Sequence, residues 1–183
     1  MHNRILTILT DHSTGLDPAG PLFTNQSCEV RLCKDDANFT EAIHTNGDAV
    51  IGFGTPDADA QVNFWVNGGW DQPECGFVVN PFFFLDIGEA QGFEDYVDLF
   101  FCSHSRSLFY YTEALASNCT FWGLRPDTYT LWKSRLTLGY AAKYIVHTQS
   151  CTLENCVPMG LDTINAAGRG DFIVVTNYKS PYC

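Results

Sequence analysis

Cationic side chains are scarce. Lys and Arg number 10 against 21 Asp and Glu, leaving a formal charge of −11. A field of that sign does not draw in nucleic acid or anionic lipid. No apolar run approaches the ~18 residues of a membrane-spanning helix, so direct membrane insertion is not expected. The apolar residues 5–9 are followed at once by Asp11 and His12, too short a stretch for the core of a signal peptide. An extracellular chain of this kind is then expected to be cut from a longer precursor. The familiar catalytic signatures are missing too. There is no Gly-x-Ser-x-Gly, no His-Glu-x-x-His, no phosphate-cradling Gly loop and no Cys-x-x-Cys. No enzymatic activity, no cofactor and no metal are expected.

Aromatic residues are plentiful, with 14 Phe, 8 Tyr and 4 Trp among 183 residues that are 45% hydrophobic. A chain of this size buries roughly 70% of its unfolded surface, and residues 1–183 read as one domain, with 147–183 leading toward a following subdomain. Eight Cys accompany three N-glycosylation sequons, at Asn25, Asn38 and Asn118. Together they point to the secretory pathway and to disulfides. Spacing alone does not pair eight cysteines.

Residues 75–111 organise the reading. Short aromatic runs at 77–79, 82–85, 96–101 and 108–111 are separated by Gly, Pro, Asn and Ser. Such runs between turn signals read as sandwich strands, with 103–107 as a polar connection and Gly88 and Gly92 bracketing a turn. A helix over 89–101 is the alternative; Gly92 and the absence of a clean i, i+3, i+4 stripe count against it. Further strands are read at 4–10, 28–33, 49–53, 61–66, 119–124, 135–147 and 171–176, and a loop at 17–21. If 28–33 is a strand, the odd separation puts Cys28 and Cys33 on opposite faces and gives them different partners. Cys151 and Cys156 lie in loop-like sequence where a local bridge is feasible. The expected fold class is all-β: an antiparallel β-sandwich stabilised by disulfides.

Several of these pieces occur in an order that resembles the N-terminal domain of coronavirus spike S1 subunits, of the betacoronavirus kind. They are residues 28–33, Asn-Phe-Trp-Val at 63–66, 75–86, 91–93, the aromatic runs at 96–101 and 108–111, Tyr-Ala-Ala-Lys-Tyr-Ile-Val at 140–146, Cys151 with Cys156, and 170–175. The resemblance implies a galectin-like sandwich and a non-enzymatic attachment domain on the virion surface. It implies a host glycan or protein receptor as partner and a homotrimeric parent. It also implies a Cys28–Cys75 disulfide and a Cys151–Cys156 disulfide.

Within that frame, Trp70 and Asp71, in a turn outside strand alternation, are the candidate sugar-stacking surface, and Trp65 is a core ring. Arg169-Gly170-Asp171 is an integrin-type tripeptide, and a secreted adhesion or lectin-like module using it is the alternative function. A secreted hydrolase with a constellation not visible in sequence is a third. His104 with Asp95 or Asp98 makes an imaginable acid–base pair, without a nucleophile in view. Cys102 and His104 as metal ligands, and Asp57 with Asp59 as a calcium site, are weaker than a disulfide cysteine and solvated loops.

Overall fold

The computed structural model describes residues 10–47, 52–75, 93–126, 151–152 and 154–183. Among these residues six strands form one sheet in the order β1-β2-β3-β6-β4-β5. They are β1 (Thr10–Leu16), β2 (Ala37–His44), β3 (Val62–Val66), β4 (Trp122–Leu124), β5 (Cys156–Pro158) and β6 (Gly170–Val174). The strands β1, β2, β3 and β6 run parallel. β4 is antiparallel to both β6 and β5. A 24-residue helix, α1 (Phe93–Ala116), packs against β1 and β2. This mixed sheet with a helix is an α/β arrangement, and the expected all-β galectin-like sandwich is incorrect.

The central strands explain part of the misreading. Parallel strands joined by crossovers are covered on both faces. All of β3 is buried, and so is every residue of β2 except Asn38. The alternation at 61–66 therefore separates no wet face from a dry one. Asn63 is as buried as its neighbours, and its Oδ1 accepts from the Ala60 N–H at 3.2 Å. Register places Phe64 between Ile43 and Phe172, in a core that also holds Phe39, Val66, Tyr110, Val157 and Val174.

The runs at 96–101 and 108–111, expected as two strands with a polar turn between them, are one helix. Gly92 lies outside the described residues. The face of α1 turned to the core carries Ser103, Ser107 and Tyr110, joined by Tyr111 and Ala114. Those positions follow helical spacing, but two are serines, so no apolar stripe shows. The large apolar residues Phe101, Leu108, Phe109 and Leu115 are the exposed ones. The strands read at 77–79, 82–85 and 135–147 lie outside the described residues, as does most of 49–53.

Four disulfides are present: Cys28–Cys33, Cys75–Cys102, Cys119–Cys183 and Cys151–Cys156. The Cys28–Cys75 bridge implied by the resemblance does not form. Residues 28–33 are a turn, so the opposite-face argument has no strand to act on and the two cysteines meet each other. Four bridges are the mark of an oxidising, extracellular-type compartment. Among the described residues no helix is long and apolar enough to cross a membrane.

Two predictions follow from burial. Trp65 is 1% exposed and donates its Nε1–H to Asp171 at 2.9 Å, whereas Trp122 is 46% exposed. Trp65→Ala is expected to cost about 3–5 kcal/mol and Trp122→Ala no more than about 0.5 kcal/mol, read by urea denaturation. Equal losses would contradict this placement. Asn25, Asn38 and Asn118 are all exposed, but Asn118 adjoins Cys119, whose sulfur is tied to Cys183. Glycopeptide mass spectrometry of protein from a eukaryotic secretory host should find the lowest occupancy at Asn118; full occupancy there with bare Asn25 would refute the ranking.

Candidate active site

The carboxyl ends of β1 and β2 meet the middle of α1. Asp17 is the residue after β1 and sits at φ 48°, a left-handed conformation uncommon for aspartate. Its side chain is fully buried. Oδ1 accepts from the backbone N–H of Thr45 at 2.8 Å and of Asn46 at 3.0 Å, immediately beyond β2. Oδ2 accepts from His104 Nδ1 at 2.7 Å, across 87 residues of sequence. The Asp17 N–H is anchored to the Ile43 carbonyl at 2.8 Å. Gly54 lies against the carboxylate so closely that a Cβ there would stand 2.4 Å from Oδ1.

His104 is carried on α1 with its side chain about one third exposed. Phe53 and Phe101 stack on each other at 4.5 Å and wall the imidazole on its apolar side, at 6.1 and 6.5 Å. The hydrogen bond to Asp17 holds the imidazole pKa above its ordinary value; burial opposes this, and the charge of Asp17 adds to it. The Cys75–Cys102 bridge pins α1 two residues before His104. A buried carboxylate on Nδ1 fixes the tautomer and orientation of an imidazole and leaves Nε2 to take a proton.

The predicted residues fare differently. His104 is brought into an acid–base pair with Asp17, read in sequence as part of a loop; the side chains of Asp95 and Asp98, the acids expected, lie outside what the structure describes. Cys102 is in a disulfide. Asp59 is paired with Arg31. Among the described residues no group of three His, Cys, Asp or Glu is placed to hold a metal. Trp70 is half-buried with its Nε1 buried, and Asp71 is 4% exposed. Neither offers the open platform expected of them. The Arg169-Gly170-Asp171 tripeptide is not a free loop: Arg169 is exposed but donates to the Ala166 and Gly168 carbonyls and lies over Phe39, while Gly170 and Asp171 are half-buried at the start of β6, with Asp171 accepting from Trp65.

Comparison with known proteins identifies the family. The family model described as Lipase matches residues 5–182. Relatives include Phospholipase A1 2 from Vespa affinis, 32% identical over 169 residues, which are 92% of this chain and 40% of that protein. Phospholipase A1 from Vespa crabro is 31% identical over 92% of this chain and 44% of its own length. Pancreatic lipase-related protein 3 from Homo sapiens is 34% identical over 80% of this chain and 29% of its own length. The chain thus spans about two fifths of the length of the wasp relatives. These matches overturn the spike resemblance, the virion-surface attachment role, the host receptor with its homotrimeric parent, and the expectation of no enzymatic activity. The chain belongs to the lipase family.

Proposed function

We propose that Asp17 and His104 are the orienting acid and the general base of a Ser-His-Asp triad that hydrolyses carboxylic esters of lipids. The observation that carries this reading is the 2.7 Å bond from His104 Nδ1 to a carboxylate whose other oxygen is held by two backbone N–H groups. In such a triad the base takes the nucleophile's proton through Nε2 as the serine oxygen attacks the ester carbonyl. It then returns that proton to the departing alcohol oxygen, and water repeats the cycle on the acyl-enzyme. The acid remains ionised and stabilises the imidazolium. The sequence carries no Gly-x-Ser-x-Gly, so the reading assigns this chain the acid and base and leaves the nucleophile to sequence outside it. The names of the relatives, phospholipase A1 and pancreatic lipase-related protein, place both phospholipids and acylglycerols among the substrates to test.

The test uses protein expressed from its complete reading frame, assayed on phosphatidylcholine vesicles and on a short-chain triacylglycerol. Asp17→Asn and His104→Ala are each expected to lower kcat by about 10⁴-fold; hydrolysis that survives both changes sinks the triad. The raised pKa of His104 also sets two opposite pH trends. Hydrolysis should rise with pH through the raised midpoint, because only neutral imidazole is a base. The stability the pair contributes runs the other way. It is fully present below the unfolded imidazole value of about 6.5 and is lost as pH rises through the folded midpoint. The stability difference between wild type and Asp17→Asn should therefore narrow as pH rises through the folded midpoint. Gly54→Ala should displace the carboxylate and, since misplacement by about 1 Å costs on the order of 10²-fold, lower kcat by about that factor with the fold retained. Unchanged kcat in that variant would mean the carboxylate is not held where the structure puts it.

A further inference from the structure

We propose that Gln72 is a positioning residue for the Asp17–His104 pair, coupling the peptide that cradles the acid to the helix that carries the base. The inference rests on the triad reading above and adds a residue that touches neither partner. Gln72 is 1% exposed, in the turn between β3 and Cys75. Its Nε2 donates to two carbonyls from different places, Thr45 and Val66, each at 2.9 Å. Its Oε1 accepts from Asn67 Nδ2 at 3.0 Å. Both donors and one acceptor site of the amide are thus occupied.

The Thr45 bond matters most. The peptide unit joining Thr45 to Asn46 presents its carbonyl to Gln72 and its N–H to Asp17 Oδ1. Donation to the carbonyl polarises that peptide and strengthens its N–H as a donor, the cooperative effect expected in a buried chain of hydrogen bonds. On the other side, the backbone N–H of Gln72 donates to Ser103 Oγ at 2.9 Å, one residue before His104. The same turn is fastened to α1 by the Cys75–Cys102 bridge and by Arg106, whose Nη2 donates to the Pro73 carbonyl at 3.4 Å. One buried residue therefore spans from the acid's cradle, through its side-chain amide, to the base's helix, through its backbone N–H. Glutamate is nearly the same shape but has no donor for the two carbonyls, and asparagine is a methylene shorter.

The test follows the His104 imidazole by NMR titration in the 183-residue chain, with its resonance assigned by loss in His104→Asn. Asp17→Asn should lower the His104 midpoint toward the ordinary imidazole value. Gln72→Met, which keeps the volume and the backbone N–H to Ser103 but removes the side-chain hydrogen bonds to Thr45, Val66 and Asn67, should lower it in the same direction by a smaller amount. Ser103→Ala cuts the link from the helix side with less disturbance of the core, and should do likewise even if Gln72→Met does not fold. Val157→Ala, at the far edge of the sheet, destabilises the core without touching this chain of bonds and should leave the midpoint in place. The proposal is overturned if Ser103→Ala and any folded Gln72 variant keep the wild-type midpoint, or if Val157→Ala shifts it as much. An unmoved midpoint in Asp17→Asn would remove the pair itself. The expected shifts together with an inactive complete protein would instead remove the triad reading and leave the coupling standing.

Discussion

A carboxylate withdrawn from water is costly unless both oxygens are met by donors, because its desolvation is repaid only by well-placed partners. Asp17 meets that condition with contributions from three directions: two peptide N–H groups after β2, an imidazole from α1, and its own backbone pinned to Ile43. The β1–β2 register, the path of the chain beyond β2 and the docking of α1 must all be right together for this charge to be tolerated. A second buried carboxylate ties the same elements together at another point. Glu41 Oε1 accepts from Thr14 Oγ1 and Tyr111 Oη at 3.0 Å and pairs with His12 at 3.2 Å. Thr14 lies on β1 shortly before Asp17, and Tyr111 follows His104 on α1. Burial pushes the Tyr111 phenol up to about 12, so it stays a donor at any physiological pH.

How much of this was legible in sequence depended on whether burial was achieved with apolar side chains. β3, β4 and β6 were located because Val62, Phe64, Leu124, Phe172 and Ile173 announce themselves. β2 was not, because Thr40, Glu41 and His44 are fully buried polar residues whose partners lie on other elements. Over residues 101–116, α1 is hidden by the same cause: Ser103 and Ser107 face inward beside Tyr110, while Phe101, Leu108, Phe109 and Leu115 are exposed. His104 was singled out, but its acid was sought within a few residues when the true partner is 87 away. A loop rich in Pro and Gly gave Asp17 no distinguishing mark. The spike resemblance rested on short aromatic runs of the kind that any buried strand or helix supplies, so their order along the chain carried little weight against a match over nearly the whole sequence.

The cysteines divide by the span they close. Cys28–Cys33 and Cys151–Cys156 each close a separation of five residues and remove little freedom from the unfolded chain. Cys75–Cys102 and Cys119–Cys183 close separations of 27 and 64, where the entropic effect is larger. Both long bridges act on α1 or its exit. The first fixes it beside His104. The second brings the chain's last residue next to the helix end, where the Cys183 N–H also donates to Glu113 at 2.9 Å. The oxidising character of the protein was readable from the count; which pairs hold the helix was not.

Parallel strands deliver all their carboxyl ends to one rim, and here Asp17, Thr45, Asn46 and Gln72 sit on the segments that leave β1, β2 and β3 at that rim. The body of the sheet, by contrast, is largely a packed set of rings and branched side chains, and Ile43 meets Asp17 there through its backbone carbonyl. Two kinds of heritable change are thereby separated. On the triad reading proposed above, substitutions within the strands are judged by whether the molecule folds, and substitutions along the rim by what it turns over. A lineage can then refit the rim to a new ester while inheriting the sheet unaltered, and this arrangement leaves it little reason to do the reverse.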